Sequence, residues 1–262
     1  MAMKFETLEY DIGGVKTVVK AIGKGKPILF LHGISTLEGF DFAEGLADRF
    51  RVLCPSHPGW GFSGAAPHLA GMSDLIVHYL NLLDVLNLTE KPHLIGFSMG
   101  GWMATELAGL AREKFDKVVL IAPAGLNDPS HPATNLGAVA PQDLPSYLAH
   151  DVSVALRYFP DGSDAGFAEA FGADRAREGE TAARVLAPFG MGHPNLRRFL
   201  ARIANPTLVV WGTEDRLLPA SQAQLWVDAL PDARLLTVSD AGHFVMQEKP
   251  ETLKKIGDFL AA

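Results

Sequence analysis

Cysteine is almost absent from this 262-residue chain, since Cys54 is the only one. A single cysteine cannot form an internal disulfide, and it has no partner for a C-x-x-C redox pair or a thiolate zinc site. The nine histidines offer no alternative metal site, because none stands in an H-x-H pair or an H-E-x-x-H motif. The composition therefore favours a reducing compartment, and we predict no bound metal.

Positive charge and long apolar runs are also scarce. Lysine and arginine number 23 against 30 acidic residues, which gives a net charge of −7 at pH 7. This sign opposes binding to nucleic acid or to an anionic lipid surface. No apolar stretch approaches a membrane span in length, and Met1–Tyr10 carries acidic residues where a signal peptide would be apolar. We expect a cytoplasmic protein with no nucleic-acid or membrane partner.

Apolar runs typical of buried strands alternate with amphipathic stretches typical of helices. Two short extended runs around Gly13-Gly14 predict a β-hairpin at the start. Further strands are predicted at 27–31, 51–54, 93–96, 117–121, 207–211 and 234–238, and helices at 37–49, 73–86, 98–114, 221–229 and 250–260. Alternation of this kind predicts right-handed βαβ units on a mostly parallel sheet, and hence an α/β fold.

The alternation stops between about residues 125 and 194. This segment is rich in Pro, Gly, Ala, Asp and His, and helical periodicity is patchy, around 144–158, 166–171 and 180–186. It is too long for a structureless loop in a compact domain. We therefore predict a helical insertion at 125–194 on a core formed by 1–124 and 195–262.

The strongest chemical signal is Gly96-Phe97-Ser98-Met99-Gly100, between a predicted buried strand and a predicted helix. This context is what a G-x-S-x-G nucleophile elbow requires. The sharp turn brings strand and helix so close that only glycine fits on either side, and it strains the serine so that the hydroxyl projects outward. The motif predicts Ser98 as a nucleophile.

A serine hydroxyl needs a base, and the base needs an acid that sets its tautomer. In this architecture the three residues follow one another along the chain as serine, acid and histidine. The acid and the histidine each lie in a loop after a later strand. Asp215 follows the predicted strand 207–211, and His243 follows 234–238. Glu214 competes for the acid role, and we rank Asp215 above it.

Acyl transfer also needs two main-chain donors for the developing oxyanion. One is predicted to be the N–H of Met99, the residue after the nucleophile. The other is expected from the loop after the strand 27–31, and we choose the N–H of Ile34 there.

The segment Gly59–Gly64 formally matches the dinucleotide motif G-x-G-x-x-G. However, Ala65-Ala66-Pro67-His68 follows it where a helix is required, so we predict no cofactor. Within the segment, Trp60 and Phe62 are equally compatible with a pocket wall and with core packing. Several aromatic and methionine side chains of the insertion leave the same question open, namely Tyr158, Phe159, Phe167, Phe171, Phe189 and Met191.

Over nearly its whole length the chain resembles the α/β-hydrolase superfamily. The resemblance is carried by Leu31-His32-Gly33, His57-Pro-Gly-Trp-Gly-Phe-Ser63, Gly96-Phe-Ser-Met-Gly-Gly101, Gly212-Thr-Glu-Asp-Arg-Leu-Leu-Pro219 and Gly242-His243-Phe244. It implies an eight-stranded, mostly parallel sheet with helices on both faces, and an inserted helical cap acting as a lid. Within the superfamily, the chain is most similar to small capped bacterial carboxylesterases, enol-lactonases, cofactor-free haloperoxidases and meta-cleavage C–C hydrolases.

Ser98 departs from haloalkane dehalogenases and epoxide hydrolases, which have Asp at the nucleophile position, and Phe244 stands where C–C hydrolases usually have Trp. These residues predict a serine hydrolase that cleaves a small ester, thioester or lactone through an acyl-enzyme. Two alternatives remain open. The same triad could cleave a C–C bond or act as a perhydrolase, or the fold could serve as a small-molecule receptor.

Overall fold

The computed structural model describes residues 4–262, which form one eight-stranded sheet and a small two-stranded one. The strands are β1 (Glu6–Ile12), β2 (Val15–Ile22), β3 (Lys26–Leu31), β4 (Phe50–Pro55), β5 (His93–Phe97), β6 (Val118–Ile121), β7 (Gly125–Leu126), β8 (Gly192–His193), β9 (Thr207–Gly212) and β10 (Ala233–Val238). The order in the main sheet is β1-β2-β4-β3-β5-β6-β9-β10. Among the strands of residues 4–262, only β1 with β2 and β2 with β4 pair in antiparallel fashion. The predicted mostly parallel α/β sheet is confirmed.

The central strands β3, β5, β6 and β9 are almost entirely buried, which explains their continuous apolar sequences. Because they run parallel, their carboxyl ends meet at one edge of the sheet. The loops after β3, β5, β9 and β10 therefore converge there. Any site built from these loops lies at that edge.

Helices pack around the sheet in two groups. They are α1 (Met72–Leu86), α2 (Met99–Leu110), α3 (Leu144–Leu148), α4 (Val152–Leu156), α5 (Ala165–Leu186), α6 (Leu196–Leu200), α7 (Ala223–Ala229), α8 (Val245–Glu248) and α9 (Thr252–Ala261). Contacts connect α1, α2, α6 and α7 in one group, and α8 and α9 with a short 3-10 turn in the other, whereas α3 and α4 contact each other and, like α5, belong to neither group.

The predicted helix at 37–49 is wrong. Within 37–49 the structure contains no α-helix, only the short 3-10 turn that contacts α9, at Asp41–Gly45. Gly39, just before it, has a φ of +61°, a left-handed conformation that a continuous helix does not contain. The apolar periodicity is still used, because Phe40, Phe42 and Leu46 are buried.

The segment 125–194 contributes α3, α4 and α5 outside the main sheet. Its two ends are joined by the parallel pair of β7 and β8, which the sequence patterns did not predict because each strand has only two residues. Two short helices expected at 166–171 and 180–186 are one helix, α5, of 22 residues. The residues between them are glycine, alanine and charged residues, most of them exposed, so no apolar stripe marks that part of the helix.

Candidate active site

Ser98 stands at a sharp turn between β5 and α2, with φ 53° and ψ −119°. The turn leaves no room for side chains beside it. A Cβ on Gly96 would lie 2.3 Å from the Gly100 carbonyl oxygen, and one on Gly100 would lie 2.1 Å from the Leu31 carbonyl oxygen. Strain at a serine that tight packing holds in place is typical of a nucleophile elbow.

Asp215 and His243 are in direct contact. The Nδ1 of His243 lies 2.8 Å from Oδ2 of Asp215, and both residues are buried. The other carboxylate oxygen accepts hydrogen bonds from the main-chain N–H groups of Leu217 and Leu218, each at 2.9 Å. These bonds fix the carboxylate's orientation. Glu214, the competing acid, points to solvent and is exposed.

Ser98 and His243 line the same cavity. The ring of Phe97 packs beside the imidazole, with 4.9 Å between ring centroids. Within residues 4–262 no hydrogen bond joins the Ser98 hydroxyl to the imidazole. Hydrogen bonds between catalytic groups are often long in unliganded sites and shorten when substrate binds. The structure therefore brings Asp215 and His243 into contact and places Ser98 on the cavity that they face.

The two predicted oxyanion donors both lie beside Ser98. In the described range 4–262, the N–H groups of Ile34 and Met99 donate to no protein acceptor. A Cβ on Gly33, next to Ile34, would lie 3.4 Å from the Ser98 Cβ, so this loop passes close to Ser98. The carbonyl of Ile34 accepts a hydrogen bond of 2.7 Å from the indole N–H of Trp60, which anchors the loop.

A buried network, which the sequence patterns did not predict, supports the same loop. The main-chain N–H of His57 donates to Nε2 of His32 at 3.0 Å, so Nδ1 of His32 carries the proton and donates to the Gly33 carbonyl at 2.9 Å. The Nε2–H of His57 donates to the His32 carbonyl at 3.0 Å, and its Nδ1 accepts from the Tyr79 hydroxyl. Burial lowers the pKa of His32 to about 3 and that of His57 well below its usual value. Both imidazoles are therefore neutral.

A cavity of about 500 Å³ opens beside Ser98 and His243. Its wall is mainly apolar, formed by residues of the 125–194 segment and of the core, namely Leu136, Val139, Leu144, Leu148, Phe159, Phe171, Met191, Leu217, Leu218 and Phe244. Phe62, Tyr158 and Phe167 line an adjacent outer cavity instead. Trp60 is fully buried in the core, and Phe189 is exposed on the surface.

Two charged side chains interrupt the apolar wall, and sequence reasoning missed both. Glu38 lies in the loop after β3, and Arg175 lies on α5. Burial raises the pKa of Glu38 to about 7. No local motif marks either residue, because the two line one cavity only in the folded chain.

The loop that carries His243 is fixed to α3 and to the segment after it. The N–H of Phe244 donates to the Leu148 carbonyl at 2.8 Å. Glu248 accepts from the N–H of Gly242 at 2.6 Å and from that of Asp151 at 2.8 Å. A Cβ on Gly242 would lie 2.6 Å from the main-chain nitrogen of His150, so this close packing requires glycine. The position of the imidazole therefore depends on the 125–194 segment.

Across residues 4–262 no group of three or more His, Cys, Asp or Glu side chains is arranged to hold a metal ion. The same residues include no helix that is both long and apolar enough to cross a bilayer.

The sequence model of the alpha/beta hydrolase fold family matches residues 26–250. A dihydrolipoyllysine-residue acetyltransferase component of an acetoin cleaving system from Pseudomonas putida is 32% identical over 88% of this chain and 62% of that protein. The corresponding component from Cupriavidus necator is 29% identical, with 64% of its length matched. The chain thus spans less than two thirds of the length of these two relatives.

Other similar proteins match over nearly their full length. A 2-hydroxymuconate semialdehyde hydrolase from Pseudomonas sp. CF600 is 27% identical over 97% of this chain and 93% of that protein. The crystal structure of a serine hydrolase involved in carbazole degradation, the CarC enzyme, superposes with a TM-score of 0.79 at 23% identity, covering 98% of this chain and 99% of the other. At this identity the structural similarity establishes a shared fold.

Proposed function

Because the chain belongs to the α/β-hydrolase fold family, we propose that it is a serine hydrolase that cleaves a small, uncharged or weakly charged carboxylic ester, thioester or lactone. The observation that carries the proposal is the contact of 2.8 Å between His243 and Asp215 at a cavity that Ser98 also lines. An imidazole held in this way beside a strained serine is suited to general-base activation of the hydroxyl.

The proposed reaction begins at the imidazole. Asp215 accepts the Nδ1–H of His243, which leaves Nε2 free to take the hydroxyl proton of Ser98. The serine oxygen attacks the substrate carbonyl, and the alkoxide or thiolate leaves with the proton that Nε2 returns. Water then attacks the acyl-enzyme, with His243 again as base, and releases the acid.

The negative charge of each tetrahedral intermediate is proposed to rest on the N–H groups of Ile34 and Met99. Both are preorganised, one by the network around His32 and His57 and the other by the start of α2. Loss of one such donor typically costs about 100-fold to 1000-fold in kcat. We propose that the segment 125–194 acts as a lid that limits water in the cavity and supplies most of the apolar wall.

Cleavage of a C–C bond in a meta-cleavage product is a second candidate. The similarity to the 2-hydroxymuconate semialdehyde hydrolase supports it, and the proposed triad would serve both reactions. The two candidates separate when the protein is incubated with a yellow ring-cleavage product. Bleaching at a rate comparable to ester turnover would favour C–C hydrolysis, and persistence of the colour would favour ester hydrolysis.

The experiment that tests the serine mechanism is covalent labelling followed by turnover. A fluorophosphonate should add to Ser98 alone, as located by peptide mass spectrometry, and Ser98→Ala should abolish hydrolysis of p-nitrophenyl acetate and butyrate. Ser163→Ala is the matched control, because Ser163 is exposed on the surface far along the chain from the elbow. If Ser98→Ala keeps most of the activity, the mechanism is wrong. Ligand-dependent thermal stabilisation without turnover of any ester would instead indicate a receptor.

A further inference from the structure

Glu38 is a buried carboxylic acid that the proposed acyl-transfer mechanism does not use. It is only 6% exposed, and it lines the same cavity as Ser98 and His243. Its Oε1 is sealed from solvent and has no hydrogen-bond partner in the described part of the chain, residues 4–262. Burial of a polar group without a partner is costly. The position therefore favours a partner that the folded chain does not supply.

Arg175 is a second incompletely paired side chain on this cavity. Its Nη2 lies 3.0 Å from Oε2 of Glu178. The other carboxylate oxygen of Glu178, Oε1, accepts a hydrogen bond of 2.6 Å from the Thr36 hydroxyl. The Nε and Nη1 of Arg175 are buried and have no partner among the described residues 4–262. The otherwise apolar cavity thus contains both an acceptor and donors that lack partners.

The charges that act on Glu38 come from two parts of the fold, helix α5 and the loop after β10. Arg175 and His243 favour the ionised carboxylate, whereas burial and the carboxylate of Glu178 favour the neutral acid. At alkaline pH the ionised Glu38 would repel a ligand carboxylate strongly, because charges in a cavity of low polarity are poorly screened.

Hydrogen-bond chemistry then selects among possible ligand groups. A neutral hydroxyl can donate its proton to Glu38 and accept an N–H from Arg175, so it satisfies both side chains. A carboxylate could pair with Arg175 but would face Glu38, and an ammonium group could pair with Glu38 but would face Arg175. A methyl group would leave both without partners.

We propose that Glu38 and Arg175 form a polar subsite that binds a neutral hydroxyl group on the acyl part of the substrate and disfavours a carboxylate at the same place. This inference rests on the proposed hydrolase function, since it describes the substrate of that site. It makes Glu38 a specificity-determining residue with no part in the bond cleavage itself.

Binding to the Ser98→Ala protein tests the subsite without any turnover. Calorimetry at about pH 8 compares three length-matched ligands: methyl hexanoate, methyl 6-hydroxyhexanoate and monomethyl adipate. The same series built on butanoate, with its 4-hydroxy and succinate counterparts, covers a shorter reach. We expect the hydroxy ester of at least one series to bind about tenfold more tightly than the methyl-terminated ester, and its carboxylate counterpart to bind more weakly than either, since a hydrogen bond to a charged group is worth about this much.

Two substitutions at position 38, each in the Ser98→Ala background, separate the roles of charge and hydrogen bonding. Glu38→Leu should abolish the preference for the hydroxy ester and raise affinity for the carboxylate at least about tenfold. Glu38→Gln should retain most of the hydroxyl preference but lose the discrimination against carboxylate. Glu44→Gln is the matched control, because Glu44 is exposed in the neighbouring 3-10 turn.

Equal affinities for the hydroxy and methyl-terminated esters in both series would overturn the proposal. So would unchanged selectivity in Glu38→Gln, or the same change in Glu44→Gln. If Glu38→Leu does not fold, the glutamine variant alone decides the carboxylate arm. Failure of the serine mechanism would be distinguishable, because it would abolish fluorophosphonate labelling and turnover while leaving these binding ratios intact.

Discussion

Replacement of Glu38 by glutamine should stabilise the protein in a pH-dependent way. A glutamate ordinarily has a pKa of 4.5, and burial raises the pKa of Glu38 to about 7. Between these values the unfolded chain releases the proton while the folded chain keeps it, so the wild-type protein loses stability as pH rises through this interval. Glutamine has no proton to lose and removes this dependence.

The size of the effect follows from the same two values. Each pKa unit corresponds to about 1.4 kcal/mol, so ionising Glu38 costs the folded protein about 3 kcal/mol once the pH exceeds 7. This is a large fraction of a typical domain stability of about 5–15 kcal/mol. Replacement of Glu38 by glutamine is therefore expected to raise the free energy of unfolding above pH 7 and to lower the substrate selectivity proposed for Glu38.

Urea unfolding of both proteins at about pH 4.5 and about pH 8 measures the effect. The free energy of unfolding of Glu38→Gln minus that of the wild type should increase by about 3 kcal/mol from the lower to the higher pH. Contributions of other titrating groups largely cancel, because both proteins share them. The exposed Glu44→Gln variant should show no such increase. A Glu38→Gln difference that is constant with pH would refute the claim that the buried acid takes up its proton near neutrality.

Three further predictions concern the supports of the site. Gly242→Ala should displace the histidine loop and lower kcat, measured with p-nitrophenyl butyrate, whereas Gly172→Ala, where a Cβ meets no atom within 4 Å, should leave kcat unchanged. Tyr79→Phe removes the donor to Nδ1 of His57 and should lower the free energy of unfolding in urea by about 1–3 kcal/mol. It should also lower kcat by a larger factor than it changes KM. Unchanged stability would contradict the role of this network. Because burial lowers the pKa of His32 to about 3 and that of His57 well below its usual value, both stabilise the fold fully above pH 6.5. The free energy of unfolding of the glutamine variant described above should therefore fall by at least about 2 kcal/mol at pH 5.

The local sequence was sufficient for features that depend on the backbone alone. The elbow around Ser98 could be predicted because close approach of main-chain atoms requires glycine at two fixed positions of a five-residue motif. The buried strands could be predicted because a parallel sheet covered on both faces demands continuous apolar runs. By contrast, the helix expected at 37–49 failed, since periodicity alone does not reveal that Gly39 takes a left-handed conformation.

Placement of the proposed triad was partly within reach of the sequence. The order of strands predicted which loops would carry an acid and a histidine, because parallel strands end at a common edge. It ranked Asp215 above the neighbouring Glu214 but did not show which of the two carboxylates contacts the histidine. Only the folded loop shows that Asp215 turns inward to His243 and accepts the N–H groups of Leu217 and Leu218, while Glu214 faces solvent.

By itself, then, the sequence determined the α/β class, the succession of strands along the chain and the sharp turn at Ser98, since each follows from short-range sterics or from the period of apolar residues. The tertiary structure alone decided which side chains share a cavity. Glu38 and Arg175 belong to different segments and carry no motif, and Phe159 reaches the cavity wall while Phe189 stays at the surface. Which side chains share the cavity depends on how the loops and the 125–194 segment pack over the sheet edge. Contacts between residues far apart in the chain produce no periodic pattern in the sequence.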